Sequence, residues 1–449
     1  MKAEIVKKIR EKSVRIAVVG LGRVGLPIAV VFAKSGYKVV GVDNNKNLVE
    51  TISKSIFPSD EPGIQELLRE MIKVGRLEAT TDIEKGLKST EIIILCVQTP
   101  LNNAADPDLV YLQKACTLVG KNLSKGKLII VESTVPPRTT EEVVVSILEK
   151  NSKLKCGEDF WLVHCPERIA PSKAIKELTE NPRIVGGFDI ESAEIAAELL
   201  SNVTKGSVLI TDCTTAEVAK LAENTFRDVN IAFANELALI CEQIDVDAIE
   251  VIKIANTHPR VNIHNPGCGV GGPCLTKDPY LLLHAIRKKD VSSKIISSSR
   301  KVNDDMPEHA VRLLLKTLKE TGRNIKELEI AVLGAAYKGQ VDDATNSPAK
   351  QIVKKLMELG ASVSVYDPYC KETFGARKAS SVVNAVRGKD CVLVVTDHGL
   401  FKNLNLRQLK SVMLENPIII DCRRIINVSE AKNHGFLYVG TGHSHALPE

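Results

Sequence analysis

The chain has 449 residues, 44% of them hydrophobic and 26% charged, with a formal net charge of +5. That length exceeds one ordinary hydrophobic core, so two or three domains are expected. The small positive charge suits an anionic small molecule, and without a Lys/Arg block interleaved with aromatics it excludes a nucleic-acid footprint.

The opening "MKAEIVKKIREK" is charged and has no apolar stretch of the kind a secretory signal needs. No apolar run approaches the roughly 18 residues of a membrane span. A cytoplasmic protein without a membrane partner is expected. "VRIAVVG" (14–20) is a continuous apolar run ending in glycine, and "PIAVVFAKSG" (27–36) has helical spacing. "KVVGVD" (38–43), "EIIILCV" (91–97) and "KLIIVES" (127–132) are further strands. Such strands alternating with helices predict a parallel sheet covered on both faces. "NPRIVGG" and "GSVLIT" are expected to add edge strands before about residue 212.

From Thr214 to about Gln243 the chain shows neither strand signals nor Pro/Gly breakers. "TTAE" (214–217) has the form of a capping box opening one long helix. A glycine-rich loop (266–272) follows, then more helix to about residue 320. "LEIAVLG" (328–334), "SPAKQIVKKLMELG" (347–360) and "SVSVYD" (362–367) restart the strand–helix–strand pattern, and "DCVLVVTD" and "PIIID" add strands. The fold class is therefore α/β: two doubly wound, Rossmann-like domains (1–212 and 321–449) joined by a helical middle (213–320). The terminal "HSHALPE" reads as a frayed tail, and its two histidines alone make no metal site.

"GLGRVG" (20–25) places G-x-G-x-x-G between a strand and a helix. Gly20 allows the tight turn, Gly22 lets the backbone approach a pyrophosphate, and Gly25 permits close helix–strand packing. The helix start, beginning with Arg23 and Val24, offers N–H donors to phosphates. Asp43 ends the next strand, where a carboxylate accepts ribose hydroxyls and repels a 2′-phosphate. The cofactor is expected to be NAD. The second α/β half has "LGAAYKG" (333–339) with Tyr337 and Lys338 in place of a glycine triad. It either holds a second nucleotide-like group or is purely structural.

Lys220 and Asn224 lie four apart on the long helix and share a face, and Arg227 is read as continuing that stripe. The eleven cysteines include no CxxC pair, which argues against a zinc ribbon or a disulfide framework. Most are expected to be buried, reduced thiols. Cys274, in "VGGPCLTKDPY" (270–280), differs, because glycines precede it and Lys277 and Asp278 follow. Pro279 suits a helix start with Asp278 as its N-cap. A nucleophilic thiol beside NAD suggests oxidation of an alcohol through an aldehyde to an acid, by way of a thiohemiacetal and a thioester.

In their order and spacing, "GLGRVGLP", "CVQTPLN", "ESTVPPRTT", "CPERIAP", "EVAKLAENTFRDVNIAFANEL", "HPRVNI", "GCGVGGPCLTKDP" and "LGAAYKG" resemble the UDP-sugar 6-dehydrogenase family over nearly the full chain. "HPRVNI" leans toward its UDP-N-acetyl-D-mannosamine branch. The resemblance implies two NAD-dependent oxidations of C6, and pairing of subunits through the long helix into a homodimer or higher homo-oligomer. It makes Cys274 the nucleophile and Lys220 an acid/base and oxyanion group, with Asn224, Asp278, Thr134 and Glu167 around the reacting carbon or the hydrolytic water. It makes Arg168, Ile169, Arg227, His258, Arg260, Gly271, Tyr337 and Lys338 substrate contacts, and Val24, Asp43, Thr99 and Thr134 NAD contacts. Arg260 is expected to reach across from a second subunit. Which of Lys220, Asp278 and Glu167 moves each proton is left open.

Two positions depart from the family pattern. Thr345 in "DDATNSP" stands where relatives have arginine, and Pro273 precedes the thiol. The same chemistry on UDP-N-acetylglucosamine or UDP-glucose is the near alternative. A catalytically silent nucleotide-sugar or NAD sensor and a two-electron hydroxyacid dehydrogenase are the distant ones.

Overall fold

A computed structural model of the chain describes residues 1–57, 61–287 and 289–443. It divides into two compact units, Met1–Glu223 with Tyr280–Val291, and Asn224–Pro279 with Ser292–Glu449. The division falls within the long helix Cys213–Gln243 and groups most of the helical middle with the C-terminal sheet. The reason is packing: Ala310, Leu314 and Leu318 of the helix Ile295–Glu320 share one core with Ile330, Val332 and Ile352.

Among its described residues the first unit contains eight strands, β1 Arg15–Val19, β2 Lys38–Val42, β3 Leu77–Thr80, β4 Ile92–Leu95, β5 Leu128–Val131, β6 Trp161–His164, β7 Arg183–Gly187 and β8 Val208–Asp212. Their spatial order is β3-β2-β1-β4-β5-β6-β7-β8. Ile16, Val18, Ile92 and Ile94 face one core, and Ala17, Val19, Ile93 and Leu95 face the other. Burial on both faces explains why these strands are apolar without alternation. One pairing departs from the all-parallel expectation: β6 and β7 are antiparallel, with Val163 opposite Gly187 and His164 opposite Gly186. The connection returns the chain to the end of the sheet that β6 has just left, so no crossover is made. Accordingly β7 is an interior strand, and β8 alone of the two expected edge strands lies at an edge.

Among its described residues the second unit has six strands, β9 Glu329–Leu333, β10 Ser362–Tyr366, β11 Arg377–Lys378, β12 Cys391–Val394, β13 Ile418–Asp421 and β14 Leu437–Gly440, all paired in parallel. Their order is β11-β10-β9-β12-β13-β14. In both sheets the first strand in the chain, β1 or β9, is flanked by the next strand and by one later in the chain. Ligands bind at the carboxyl ends beside such switch points.

Two local expectations are corrected. The long helix starts at Cys213, and Asp212 caps it by accepting from Thr215 N and Oγ1 at 2.8 and 2.6 Å. Glu217, freed from the expected capping box, accepts from Arg138 N and Thr140 N at 2.5 and 2.8 Å. Of the expected tail 443–449 only His443 is described, and its Nδ1 lies 3.0 Å from Asp247 Oδ2. Residues 444–449, including His445, lie outside the described residues.

Candidate active site

In the first unit the turn after β1 carries the glycine triad. Gly20 has φ +92°, and a Cβ there would sit 2.8 Å from the Cys96 carbonyl oxygen. Gly25, the first residue of the helix Gly25–Lys34, would drive a Cβ into the Gly20 carbonyl. Gly22 differs: its Cβ would meet no described atom within 4 Å. The space above Gly22 therefore fits a ligand brought against the backbone, as a dinucleotide pyrophosphate requires. Arg23 is exposed and Val24 half-buried at the helix start. Asp43 is half-buried after β2, accepting from Leu21 N at 2.8 Å and Asn45 N at 2.9 Å. A carboxylate takes about four hydrogen bonds, so Asp43 keeps capacity for two ribose hydroxyls.

Beyond the next two strands, Thr99 Oγ1 donates to the Thr134 carbonyl at 2.5 Å, joining the loops after β4 and β5. The residue after β5 forms a pair that the sequence alone did not mark. Arg183 Nη2 donates to Glu132 Oε1 at 2.5 Å, both almost fully buried. Burial pushes the Glu132 carboxyl up, against the pull of Arg183. His164, at the end of β6, is fully buried, and burial together with the positive Lys220 lowers it to about 3. It is therefore a neutral imidazole.

Lys220 comes from the long helix and is 5% exposed. Its Nζ lies 3.3 Å from Glu167 Oε1, while Glu167 Oε2 accepts from Ile169 N at 2.9 Å. Arg168 Nη2 lies 2.7 Å from Glu223 Oε1, and its Nη1 donates to the Pro182 carbonyl at 3.0 Å. Thus Glu167, Arg168 and Ile169 of the loop after β6 are held against one turn of helix by Lys220 and Glu223.

In the second unit Asn224, one turn beyond Lys220, donates from Nδ2 to Asp278 Oδ2 at 2.6 Å, and both residues are buried. Asp278 is not an N-cap. Its backbone N–H already bonds the Cys274 carbonyl at 2.8 Å, which places it inside the first turn of the helix Asp278–His284. Lys277 Nζ lies 3.6 Å from Asp278 Oδ1. Cys274 is exposed, in the turn just before that helix.

The buried stripe of the long helix continues through Asp228 and Asn235, whereas Arg227 is exposed. The reason is spacing: Lys220, Asn224 and Asp228 are successive four-residue steps along one face. Asp228 Oδ1 accepts from Arg300 Nη1 at 2.5 Å and Asn303 Nδ2 at 2.9 Å. Asn235 bonds Asn303 and accepts from Gly267 N at 2.8 Å, tethering the glycine loop. Extending the polar stripe by its own period would have found Asp228; nothing local in the sequence marks Arg300 or Asn303.

His258 and Arg260 are exposed in the loop that follows the helix Ala248–Ala255. Gly271 is buried, and a Cβ there would sit 2.7 Å from Tyr337 Cβ. Tyr337 is half-buried and Lys338 exposed, on the turn after β9. The acid matching Asp43 in this half is Asp367, whose side chain is fully buried, accepting from Ala335 N and Ala336 N and lying 2.9 Å from His398 Nε2. Its bonding is internal, so this half lacks an accessible ribose acid at that place. Among the described residues no helix is long and apolar enough to cross a membrane, and no group of three or more His, Cys, Asp or Glu is placed to hold a metal.

Three family models match the chain: the UDP-glucose/GDP-mannose dehydrogenase family NAD binding domain over residues 14–204, its central domain over 214–305 and its UDP binding domain over 331–428. The UDP-N-acetyl-D-mannosamine dehydrogenase of Pyrococcus horikoshii is 44% identical over 428 residues, covering 95% of this chain and 99% of that one. A structure of the Pyrococcus horikoshii enzyme superposes with a TM-score of 0.89 at 43% identity, over 95% of this chain and 99% of the other. An NDP-N-acetyl-D-galactosaminuronic acid dehydrogenase structure from Methanosarcina mazei superposes at 0.85 with 36% identity, over 98% of both chains. The glycine cradle and Asp43 lie within the segment matched as NAD binding, and NAD is the cofactor. The chain belongs to the UDP-glucose/GDP-mannose dehydrogenase family, as an NAD-dependent UDP-sugar dehydrogenase.

Proposed function

We propose that the chain oxidises the C6 hydroxyl of UDP-N-acetyl-D-mannosamine to the carboxylate, giving UDP-N-acetyl-D-mannosaminuronate through a covalent adduct on Cys274. Likeness to the Pyrococcus horikoshii enzyme across 95% of the chain supports the sugar. The observation that carries the chemistry is the exposure of Cys274: of the eleven cysteines it alone is exposed. Burial drives thiols such as Cys96 and Cys165 well up and keeps them protonated and inert.

Bound NAD accepts the hydride in each of two oxidations. The first converts the alcohol to the aldehyde, with loss of the hydroxyl proton. The Cys274 sulfur then adds to the aldehyde carbon, forming a C–S bond as the carbonyl π pair moves to oxygen. Loss of the second hydride from that carbon restores the carbonyl as a thioester. Attack by water breaks the C–S bond and releases carboxylate and thiolate. Each sugar consumes two NAD and one water, and yields two NADH and three protons.

Lys220, held by Glu167, and Asp278, held by Asn224, supply proton transfer and stabilise the successive oxyanions. Thr134 and Glu167 serve the hydrolytic water. Arg168, Ile169, Arg227, His258, Arg260, Gly271, Tyr337 and Lys338 bind the UDP-sugar, while Val24, Asp43, Thr99 and Thr134 bind NAD. The segments 1–212, 213–320 and 321–449 act as cofactor, central and UDP-sugar domains. Phe226, Phe233 and Ile240 are exposed at seven-residue spacing on the long helix, which supports a homodimer formed along that stripe. A reduced, reactive Cys274 suits an enzyme working in the cytoplasm, where thiols stay reduced.

The test is NADH release with a panel of UDP-sugars. Two NADH per UDP-N-acetylmannosamine, with kcat/KM above that for UDP-N-acetylglucosamine and UDP-glucose, is expected. Preference for another sugar overturns the substrate, and one NADH per sugar overturns the chemistry.

A further inference from the structure

The turn that carries Cys274 is gripped by a short stretch before the helix Pro348–Glu358. Gly272 N donates to the Thr345 carbonyl at 2.8 Å. On the other side of the same residue, the Gly272 carbonyl accepts from Thr276 Oγ1 at 2.6 Å. That hydroxyl in turn accepts from Asn346 Nδ2 at 2.9 Å. The Cys274 carbonyl meanwhile takes the N–H groups of Lys277 and Asp278 at 2.9 and 2.8 Å. The backbone is thus tied on both sides of the thiol, and its hydrogen bonds reach one short stretch, 345–346.

That stretch is itself fixed. Asp343 Oδ1 accepts from Thr345 N at 2.9 Å and Thr345 Oγ1 at 2.6 Å, and the Asp343 carbonyl accepts from Tyr337 N at 3.0 Å. Asn346 has φ +50°, a left-handed conformation that asparagine and glycine adopt with least strain. Gly272, at φ +90°, packs so close to Tyr337 that a Cβ would sit 2.7 Å from its ring. The turn therefore has no slack on the side facing Tyr337. An adduct-forming sulfur gains from such restraint, because a displacement of about 1 Å from attack geometry costs up to about 10²-fold.

We propose that Thr276 and Asn346 are positioning residues for the Cys274 nucleophile, acting through the hydrogen-bond chain Asn346–Thr276–Gly272 to fix the turn from which the sulfur attacks the aldehyde. The proposal rests on the reading of Cys274 as the nucleophile. It predicts that the second oxidation suffers more than the first.

The test uses Thr276→Val, Thr276→Ser, Asn346→Gly and the double variant Thr276→Val/Asn346→Gly, with Cys274→Ser assayed beside them. Glycine at 346 keeps the left-handed backbone and removes the side chain, with its bond to Thr276 Oγ1 and its longer one to the Gly272 carbonyl. Thr276→Val and Asn346→Gly are expected to lower kcat for uronate about tenfold, the size of one lost hydrogen bond, with the KM for UDP-sugar within twofold. Aldehyde trapped by an alkoxyamine rises relative to uronate, a partition that a general loss of folded enzyme leaves unchanged. Thr276→Ser restores parental values, and the double variant is no worse than the poorer single one. Parental kcat and aldehyde partition in Thr276→Val, with Cys274→Ser blocked at the second oxidation, overturns the clamp. Normal uronate formation by Cys274→Ser overturns the nucleophile reading, and the clamp with it.

Discussion

The Lys220 ammonium lies 3.3 Å from Glu167 Oε1, with both side chains largely removed from solvent. Taking one partner from a buried pair leaves a charge without compensation, at about 3–5 kcal/mol. Lys220→Met and Glu167→Gln are each expected to lower the denaturation midpoint, and Lys220→Met to reduce kcat by about 10²–10⁴-fold. The double variant recovers stability while remaining inactive. Urea titration and steady-state kinetics on the same preparations separate the two effects; recovery of activity in the double variant would show that the pair is only structural.

The glycines of the cofactor turn are expected to divide by their surroundings. Gly22→Ala places its Cβ in open space, so Tm stays within about 1 °C of the parent while the KM for NAD rises about tenfold. Gly25→Ala drives a Cβ into the Gly20 carbonyl and lowers Tm by several degrees. Thermal melts without cofactor, paired with NAD titrations, check both.

Asp43 and Asp367 follow equivalent strands of the two sheets, yet only Asp43 has acceptor capacity open to a ligand. Asp43→Asn is expected to raise the KM for NAD about tenfold and narrow the preference over NADP, since a repelling charge is lost. Asp367 is an internal brace. Burial works to raise its carboxyl, but His398 and the N–H groups of Ala336, Cys370 and Ala335 prevail and hold it at about 2. Asp367→Asn therefore lowers Tm and leaves the KM for NAD unchanged.

Glu217 gives stability a pH dependence of definite sign. Burial raises its carboxyl to about 7, against hydrogen bonds from Thr140 and Arg138. The folded chain thus holds this proton more tightly than the unfolded one does. The contribution is fully present below the ordinary value of 4.5 and is lost as pH rises toward 7, up to about 3 kcal/mol. Glu217→Gln removes that slope between pH 4.5 and 7. Parallel urea titrations across the window check it, and an unchanged slope in the variant contradicts the assignment.

Both sheets were legible because buried parallel strands write themselves as unbroken runs such as "RIAVV" and "EIAVL". The strands β3, β6, β11 and β14 were not: β3 is half-exposed and carries Glu78, β11 has only two residues, and the four-residue runs of β6 and β14 are too short to stand out. Direction was also hidden at β7, because local composition is the same whichever way a strand runs. Within the site, Lys220 and Asn224 could be paired by helical period and Cys274 singled out by its glycines. The contacts Arg183–Glu132 and Asn346–Thr276 span 51 and 70 residues and leave no local signature. Asp278 shows the opposite error: a good N-cap by its position before proline, it gives its carboxylate to Asn224 instead.

The most direct measurement is the NADH yield per UDP-N-acetylmannosamine with the parent enzyme and with Cys274→Ala, each taken to completion. Two NADH and uronate are expected from the parent. From the variant no more than one NADH is expected, with aldehyde and no uronate. Two NADH per sugar from Cys274→Ala at the parental rate would overturn the covalent route through Cys274.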